Sequence, residues 1–285
     1  MAKKAGKNLY WLNLSGGEPT DREDLTQIIT EFIDHCPNLQ ILNFTTNGLN
    51  YENLETVLDF ISKSNISTVA INISIDGPPQ THNLIRGTKD GFEMAIKAYK
   101  LILKYPKFKS SVAMTLFPNN FKLIGQTIEA IQEHVPNFSS KKLHLNFPHN
   151  SDHYYGNAAI SYDQRIDLDY IKPFMKKGNS LFSLSQFVEK IYQKKLFTFL
   201  KTKSIPMSCA AIKSNIYISE KGDVYPCTIW DKKLGSLRDH EFQLDKIINS
   251  PLAVQTLEEI RLKKCPNCWT PCEAFPSIIT NLKSI

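Results

Sequence analysis

Leu9-Tyr10-Trp11-Leu12-Asn13-Leu14-Ser15-Gly16-Gly17-Glu18-Pro19-Thr20 reads as a short apolar strand, a glycine turn and the approach to a helix. Downstream, Leu25, Ile28, Ile29, Phe32, Ile33 and Cys36 fall on one face at helical spacing, and Thr20 with Glu23 predicts a capping box at the start of that helix. The same unit recurs along the chain. Further strands are expected at Leu39 to Phe44, Thr68 to Ile75, Ser111 to Phe117 and Lys142 to Phe147. Between them lie helix-period runs such as Leu54, Val57, Leu58, Ile61 and Phe92, Ala95, Ile96, Tyr99. Five alternations of strand and helix imply a parallel α/β sheet, either a barrel or an open doubly wound sheet.

The asparagines choose between these. Four strands place one inside an apolar sandwich: Leu12-Asn13-Leu14, Leu42-Asn43-Phe44, Ile71-Asn72-Ile73 and Leu145-Asn146-Phe147. Because side chains alternate along a strand, Asn13 shares a face with Ser15, Asn43 with Thr45 and Asn47, and Asn72 with Ser74 and Asp76. A sheet covered on both sides is apolar on both faces, whereas a barrel with a ligand-filled lumen is apolar outside and polar within. The pattern predicts the barrel. A blander account, asparagines hydrogen-bonding one another across strands, is compatible with it.

Turn residues gather at three strand ends, in Ser15-Gly16-Gly17-Glu18-Pro19, Thr45-Thr46-Asn47-Gly48 and Ser74-Ile75-Asp76-Gly77. In parallel barrels the loops at the carboxyl ends of the strands build the site, where free backbone N–H groups converge.

Five of the six cysteines lie in the last 77 residues: Cys209, Cys227, Cys265, Cys268 and Cys272. A Cys-x2-Cys turn such as Cys265–Cys268 aims two sulfurs at one centre, and with the pair Cys209 and Cys227 it suits tetrahedral zinc or an iron–sulfur cluster. Disulfides belong to oxidising compartments and to chains too small for a core. These 285 residues, 42% hydrophobic and without a signal-peptide or membrane-length apolar run, are expected in the reducing cytoplasm as a soluble protein. A net charge of +6 without a basic stripe argues against nucleic acid and at most favours anionic ligands. Asn215 to Ser219 and Val224 to Cys227 read as a hairpin turning at Lys221-Gly222, and Leu252 to Leu262 as a helix.

Gly16-Gly17-Glu18-Pro19, Thr46-Asn47-Gly48, Ser74-Ile75-Asp76-Gly77 and the spacing Cys209-x12-Gly222-x4-Cys227 with Cys265-x2-Cys268 together resemble the radical S-adenosylmethionine (radical SAM) superfamily. The resemblance is to the branch that carries a SPASM or shortened "twitch" auxiliary-cluster domain. It implies a partial (β/α) barrel over residues 1–205 and a small α+β cysteine domain over 206–285. Implied cofactors are S-adenosylmethionine and an auxiliary 4Fe–4S cluster, with zinc as the alternative at the cysteines. The family places Gly16, Gly17 and Glu18 at the methionyl amino group, Ser74 and Asp76 near the ribose, and Asn47 as a further polar contact. Among the cysteines it favours Cys209, Cys227, Cys265 and Cys268 as ligands, with Cys272 exchangeable for one of them. A peptide substrate and an electron donor such as flavodoxin or ferredoxin are expected on the same grounds. The loop His149 to Tyr155 is a candidate for contact with adenine or substrate. Trp269, Pro266 and Pro271 are expected around the cluster.

The sequence contains no Cys-x3-Cys-x2-Cys. The family carries that triplet one strand–helix unit before Gly-Gly-Glu-Pro, and this chain reads five units where six are expected. The expectation is therefore a barrel missing its first strand–helix unit, from a parent enzyme of 5′-deoxyadenosyl radical chemistry, and inactive in cleaving S-adenosylmethionine as written. The alternative is a non-catalytic iron–sulfur or zinc-binding module.

Overall fold

A computed structural model describes residues 1–160, 166–175 and 184–282. They form two compact units, residues 2–147 with 166–175, and residues 148–160 with 184–282.

The first unit is built on five parallel strands, β1 (Trp11–Leu14), β2 (Ile41–Thr46), β3 (Thr68–Ser74), β4 (Lys109–Thr115) and β5 (Leu143–Asn146), lying side by side in chain order. A doubly wound sheet reverses its strand order at a switch point. Sequential order has no such reversal, and crossovers of one hand then lay every helix on the same face. The burial agrees. Leu42, Phe44, Ile71, Ile73, Val112 and Met114 are completely buried, while Asn13 and Thr45 are exposed and Asn43, Asn72 and Ser111 half-buried. The sheet therefore has one apolar face and one polar face.

Helices Leu25–His35, Tyr51–Ser62, Gly91–Leu103 and Ile124–His134 cover the apolar side with stripes such as Leu54, Val57, Leu58 and Ile61. Such stripes form because leucine and isoleucine three and four residues apart share a helical face, and each buried side chain is worth about 1.5–3 kcal/mol. Cys36 ends the first of these helices and packs, buried, with Ala2, Phe32 and Leu39. Its thiol belongs to the core. Burial pushes its pKa up, as expected of an unreactive buried thiol.

The Thr20–Glu23 capping box does not form. The helix begins at Leu25 after Asp24, and the Thr20 hydroxyl turns back to donate to Glu18 Oε1 at 2.7 Å, closing a short 3-10 turn over Pro19–Asp21. Pro19 fixes the first position of that turn, so the chain folds around Glu18 before the helix starts.

In the second unit, β6 (Tyr217–Ile218) and β7 (Asp223–Tyr225) form the expected hairpin. Ser219 N donates to Asp223 O, and Gly222 takes φ +85° at the turn. A third antiparallel strand, β8 (Gly235–Ser236), pairs with β7. Helix Pro251–Arg261 follows, then helix Pro271–Thr280, which packs against helix Leu184–Thr202. Trp269 is buried and stacks on Tyr192, its indole N–H donating to the Tyr192 carbonyl. Among the described residues no helix is long and apolar enough to cross a membrane.

Gly48 shows how tightly one strand end is fixed. It sits at φ +79°, and a Cβ there would lie 2.7 Å from Ala98 Cβ and 3.3 Å from Ala95 Cα. Gly48→Ala combines a strained backbone with a clash against a packed helix and is expected to cost about 2 kcal/mol or more. Urea unfolding of the two proteins, side by side, measures the difference.

Candidate functional site

Two constellations carry the residues singled out by the sequence, one at the strand ends of the first unit and one among the cysteines of the second.

At the ends of β1 and β2, Gly16 and Gly17 are exposed, with no heavy atom within 4 Å of where a Cβ would stand. Gly16 has φ +144°, a backbone conformation that favours glycine although the space around it is open. Glu18 follows, and its two oxygens face different ways. Oε1 accepts from Thr20 N and Oγ1, whereas Oε2 accepts from Asn47 N at 2.6 Å. Glu18 and Asn47 are thus brought together by a direct bond between adjacent strand-end loops. Asn47 Oδ1 accepts from Leu49 N, and Asn50 and Asn53 both donate to the Thr20 carbonyl. Asn50 and Asn53 were not marked by the sequence reading. Their signal is an asparagine N-cap followed three residues later by another asparagine.

Ser74 and Asp76 stand at the end of β3 in a separate network. Ser74 is 9% exposed and Asp76 only 2%. Asp76 Oδ1 accepts from Thr115 N at 2.8 Å, and Oδ2 accepts from the Arg86 guanidinium at 2.7 Å. Asn120 donates from Nδ2 to the carbonyls of Asp76 and Thr115. Both carboxylate oxygens of Asp76 therefore hold protein groups. His82, buried against Phe92, accepts from Asp76 N through Nδ1 at 3.0 Å.

On the polar face, Asn43 Nδ2 donates to Asn13 Oδ1, Trp11 Nε1 donates to Asn43 Oδ1, Asn72 Nδ2 donates to Thr45 Oγ1 and Ser111 Oγ to Asn72 Oδ1. The asparagines do bond across strands, on a face that nonetheless stays partly open.

In the second unit Cys209, Cys227, Cys265 and Cys268 line one cavity with Ile205, Ile229, Trp230 and Ile260, and with Glu273 at its wall. Cys272 is not among the lining residues. It sits in the first turn of helix Pro271–Thr280, where the neighbouring Glu273 takes the place facing the cavity. Pro266 lines the cavity as expected, whereas Trp269 is committed to the packing against Tyr192. Burial raises the thiols of Cys209, to about 11, and of Cys227 and Cys268, because no solvent is present to stabilise a thiolate. Burial likewise lifts Glu273 to about 7, against hydrogen bonds from Thr228 and Asn215 that pull it down. The lining holds no lysine or arginine. Four soft thiols in an apolar wall with no compensating cation match the donor chemistry of a thiolate-ligated metal centre. Among the described residues no three His, Cys, Asp or Glu side chains converge on a single-ion geometry, and the sulfurs surround a cavity instead.

The His149–Tyr155 loop belongs to this second unit. Ser151 Oγ donates to the Thr228 carbonyl, and the N–H groups of Asp152 and His153 both donate to Asp231 Oδ1. The His153 ring lies between Asp231 Oδ1 at 2.5 Å and the Cys227 carbonyl at 2.9 Å, stacked on Tyr225. The loop is fastened to the segment that follows Cys227.

Residues 2–134 match the model of the radical SAM superfamily, and residues 209–272 match SPASM, an iron–sulfur cluster-binding domain. The chain carries a radical SAM domain followed by a SPASM domain. It is similar to the sporulation killing factor maturation protein SkfB of Bacillus subtilis, 28% identical over 129 residues, which is 45% of this chain and 30% of SkfB. It is also similar to the molybdenum cofactor biosynthesis protein moc-5 of Caenorhabditis elegans, 32% identical over 114 residues, 40% of this chain and 18% of moc-5. The matches thus span less than a third of either relative. In fold it resembles anSMEcpe, solved with bound AdoMet and the Cp18Cys peptide, at a TM-score of 0.55 and 16% identity, covering 100% of this chain and 88% of that one.

The radical SAM domain offers one sharp pH-dependent group. Burial, the largest effect, lowers the His82 pKa from 6.5 to about 4, with Asp76 opposing and Arg86 adding to it. The unfolded chain then takes up this proton more readily than the folded one, so the neutral ring stabilises fully above about pH 6.5 and progressively less towards pH 4. Between pH 7 and 5 the native protein should lose about 2 kcal/mol more than a His82→Gln variant. Urea unfolding of both at the two pH values checks this, and an equal loss would refute it.

Proposed function

We propose that the two constellations serve one reaction class, radical modification of a peptide with S-adenosylmethionine as cofactor and an auxiliary 4Fe–4S cluster on Cys209, Cys227, Cys265 and Cys268. The observation that carries the reading is that these four cysteines, 59 residues apart at the extremes, line one cavity while the fifth does not. The iron–sulfur identity of the SPASM model supports iron over zinc. Peptide as substrate class is supported by SkfB, a maturation protein, and by the peptide bound to anSMEcpe.

In this reading the Gly16-Gly17 carbonyls and Glu18 receive the methionyl ammonium of S-adenosylmethionine. Glycine lets the ligand approach the backbone, and Glu18 is held in place by Asn47 N. Ser74 and Asn47 contribute polar edges, and Asp76 keeps the β3 end in register with Thr115 and Arg86. The auxiliary cluster, when bound, supplies electron transfer or a substrate coordination point. The four thiols hold it, and Ile205, Ile229, Trp230 and Ile260 exclude water from it. A flavodoxin- or ferredoxin-type electron donor and a reducing, cytoplasmic setting complete the proposal. No Cys-x3-Cys-x2-Cys occurs in this sequence, and formation of the radical is not assigned to any residue in it.

The deciding test is iron, sulfide and zinc content after anaerobic purification and treatment with iron and sulfide. About four irons with matching sulfide are expected, falling at least severalfold in Cys265→Ala but little in Cys272→Ala. One zinc without sulfide would replace the cluster by a structural zinc site. Binding of S-adenosylmethionine, followed by calorimetry, should weaken about tenfold or more in Glu18→Gln, which loses the carboxylate charge opposite an ammonium. Unchanged affinity would remove Glu18 from the site.

A further inference from the structure

Glu273 is the one carboxylate in the wall of the cysteine cavity, and its side chain spends both oxygens on the chain itself. It is 4% exposed and stands in the first turn of helix Pro271–Thr280. Oε1 accepts from Thr228 N at 3.2 Å and Thr228 Oγ1 at 3.4 Å, and Thr228 directly follows Cys227. Oε2 accepts from Asn215 Nδ2 at 2.6 Å, which also reaches the Cys272 carbonyl at 3.3 Å.

Asn215 closes the loop that begins at Cys209. Its carbonyl accepts from Ile212 N, it bridges Ala211, and Ser214 N donates to the Ala210 carbonyl. One turn further along the helix Ser277 Oγ accepts from Ala210 N at 3.0 Å and donates to the Glu273 carbonyl at 2.6 Å. Residues four apart share a helical face, so Glu273 and Ser277 present a pair of acceptors to the Cys209 loop. The segment carrying Cys265 and Cys268 runs into the same helix through Thr270, whose carbonyl accepts from Glu273 N and Ala274 N. Two cysteine-bearing segments therefore meet at the Glu273 side chain, and the third joins the same residue through its backbone.

We infer that Glu273 is a positioning residue for the metal centre: its carboxylate fixes the distance between the Cys209 and Cys227 loops, and hence the spread of the sulfurs, without itself binding metal. The inference rests on the cysteine-metal reading above. Oε1 takes two donors and Oε2 one, so three of the carboxylate's roughly four acceptor sites already serve the chain rather than the cavity. Removing it strands the Asn215 amide and the Thr228 N–H in a wall closed to water, and buried donors without acceptors cost enough to let the loops separate. Residues that orient metal ligands in this way typically alter metal affinity by about 10–100-fold.

The test uses the full chain, metal-free and anaerobic, titrated with cobalt(II) as the probe, because its visible bands report ligand type and geometry. The sulfurs surround a cavity rather than a preformed single-ion site, so the wild-type chain should develop thiolate-to-cobalt bands as the loops close on the ion. Glu273→Leu removes both clamps and should bind about tenfold or more weakly, with altered bands. Glu273→Gln should stay within about threefold of wild type with unchanged bands, since its amide oxygen still accepts from Thr228 and the Asn215 amide can turn to accept from its nitrogen. Circular dichroism checks folding. If Glu273→Leu does not fold, Asn215→Leu removes the Cys209 arm alone and should weaken cobalt binding with the carboxylate in place. Wild-type affinity and spectrum in Glu273→Leu, or in Asn215→Leu where that variant decides, overturns the inference. So does a Gln variant as damaged as the Leu variant, or a wild-type spectrum of mixed thiolate and carboxylate ligation. Where the wild-type chain shows no thiolate-to-cobalt bands, the same variants are compared by iron and sulfide uptake under the same criteria; a wild-type chain that takes up neither cobalt on thiolate nor iron with sulfide defeats the metal reading instead, and this inference falls with it.

Discussion

A parallel sheet covered by helices on one face only must keep two chemically different sets of residues on strands that alternate every second position, and the radical SAM domain is organised by that constraint. Leu42, Phe44, Ile71, Ile73, Val112 and Met114 supply the covered face and are completely buried. Their partners one residue away cannot join the core. Asn13, Asn43, Thr45, Asn72 and Ser111 instead satisfy one another across β1 to β4. A slip of one residue in any strand would bury the amides and expose the aliphatic side chains, so the two faces jointly fix the register. The same pairing leaves a surface with hydrogen-bonding capacity and little apolar area, which is what a polar ligand needs.

The strand ends show a second regularity. Glu18, after β1, reaches Asn47 N after β2, and Asp76, after β3, reaches Thr115 N at the end of β4. Each carboxylate ties its own loop to the backbone of the next strand in sequence. Loops held this way do not have to be ordered by the ligand, and a site whose ordering cost is already met binds with less loss. The two carboxylates differ in what remains available. Asp76 is buried with Arg86 as counter-charge, whereas Glu18 sits beside exposed glycines with backbone surface around it. Both oxygens of each carboxylate already accept from the chain, so the difference lies in exposure, with Asp76 buried and Glu18 half-buried at an open loop.

All five strands of this sheet were legible in the chain because a period of two is a strong signal and the first three run into loops of glycine, asparagine or aspartate. The polar positions favoured barrel-type order over a doubly wound sheet, since a one-sided sheet tolerates an asparagine amid the apolar residues of four of its five strands. What local patterns could not convey was competition. Thr20 suits a capping box, but Pro19 closes a turn that directs its hydroxyl to Glu18 instead. Asp76 appears on the lumen face by parity, yet Arg86 and Thr115 N, 10 and 39 residues away, turn its carboxylate inward. Cys268 and Cys272 have the spacing of neighbours on a helix. The helix starts only at Pro271, so Cys268 lies before it and the two thiols part company. Glu273 was invisible for a related reason: nothing in a sequence marks which carboxylate will be buried among thiols.

The cysteine cavity is electrostatically one-sided. Its lining can produce five negative charges, from Cys209, Cys227, Cys265, Cys268 and Glu273, and contains no basic residue. Burial opposes ionisation there, which is why the thiols of Cys209, Cys227 and Cys268 and the carboxyl of Glu273 are all shifted up. Protonated thiols are a neutral solution that the apolar wall tolerates. Thiolates become tolerable when a cation lies among them, and ligation then releases their protons. Charge compensation and metal binding are thus the same event in this domain. The geometry of that event is fixed by hydrogen bonds radiating from the helix Pro271–Thr280, whose first turn also presents its positive dipole end to Glu273. A rigid carboxylate, bonded on both oxygens, lets the loops keep their separation whether or not the thiols are charged.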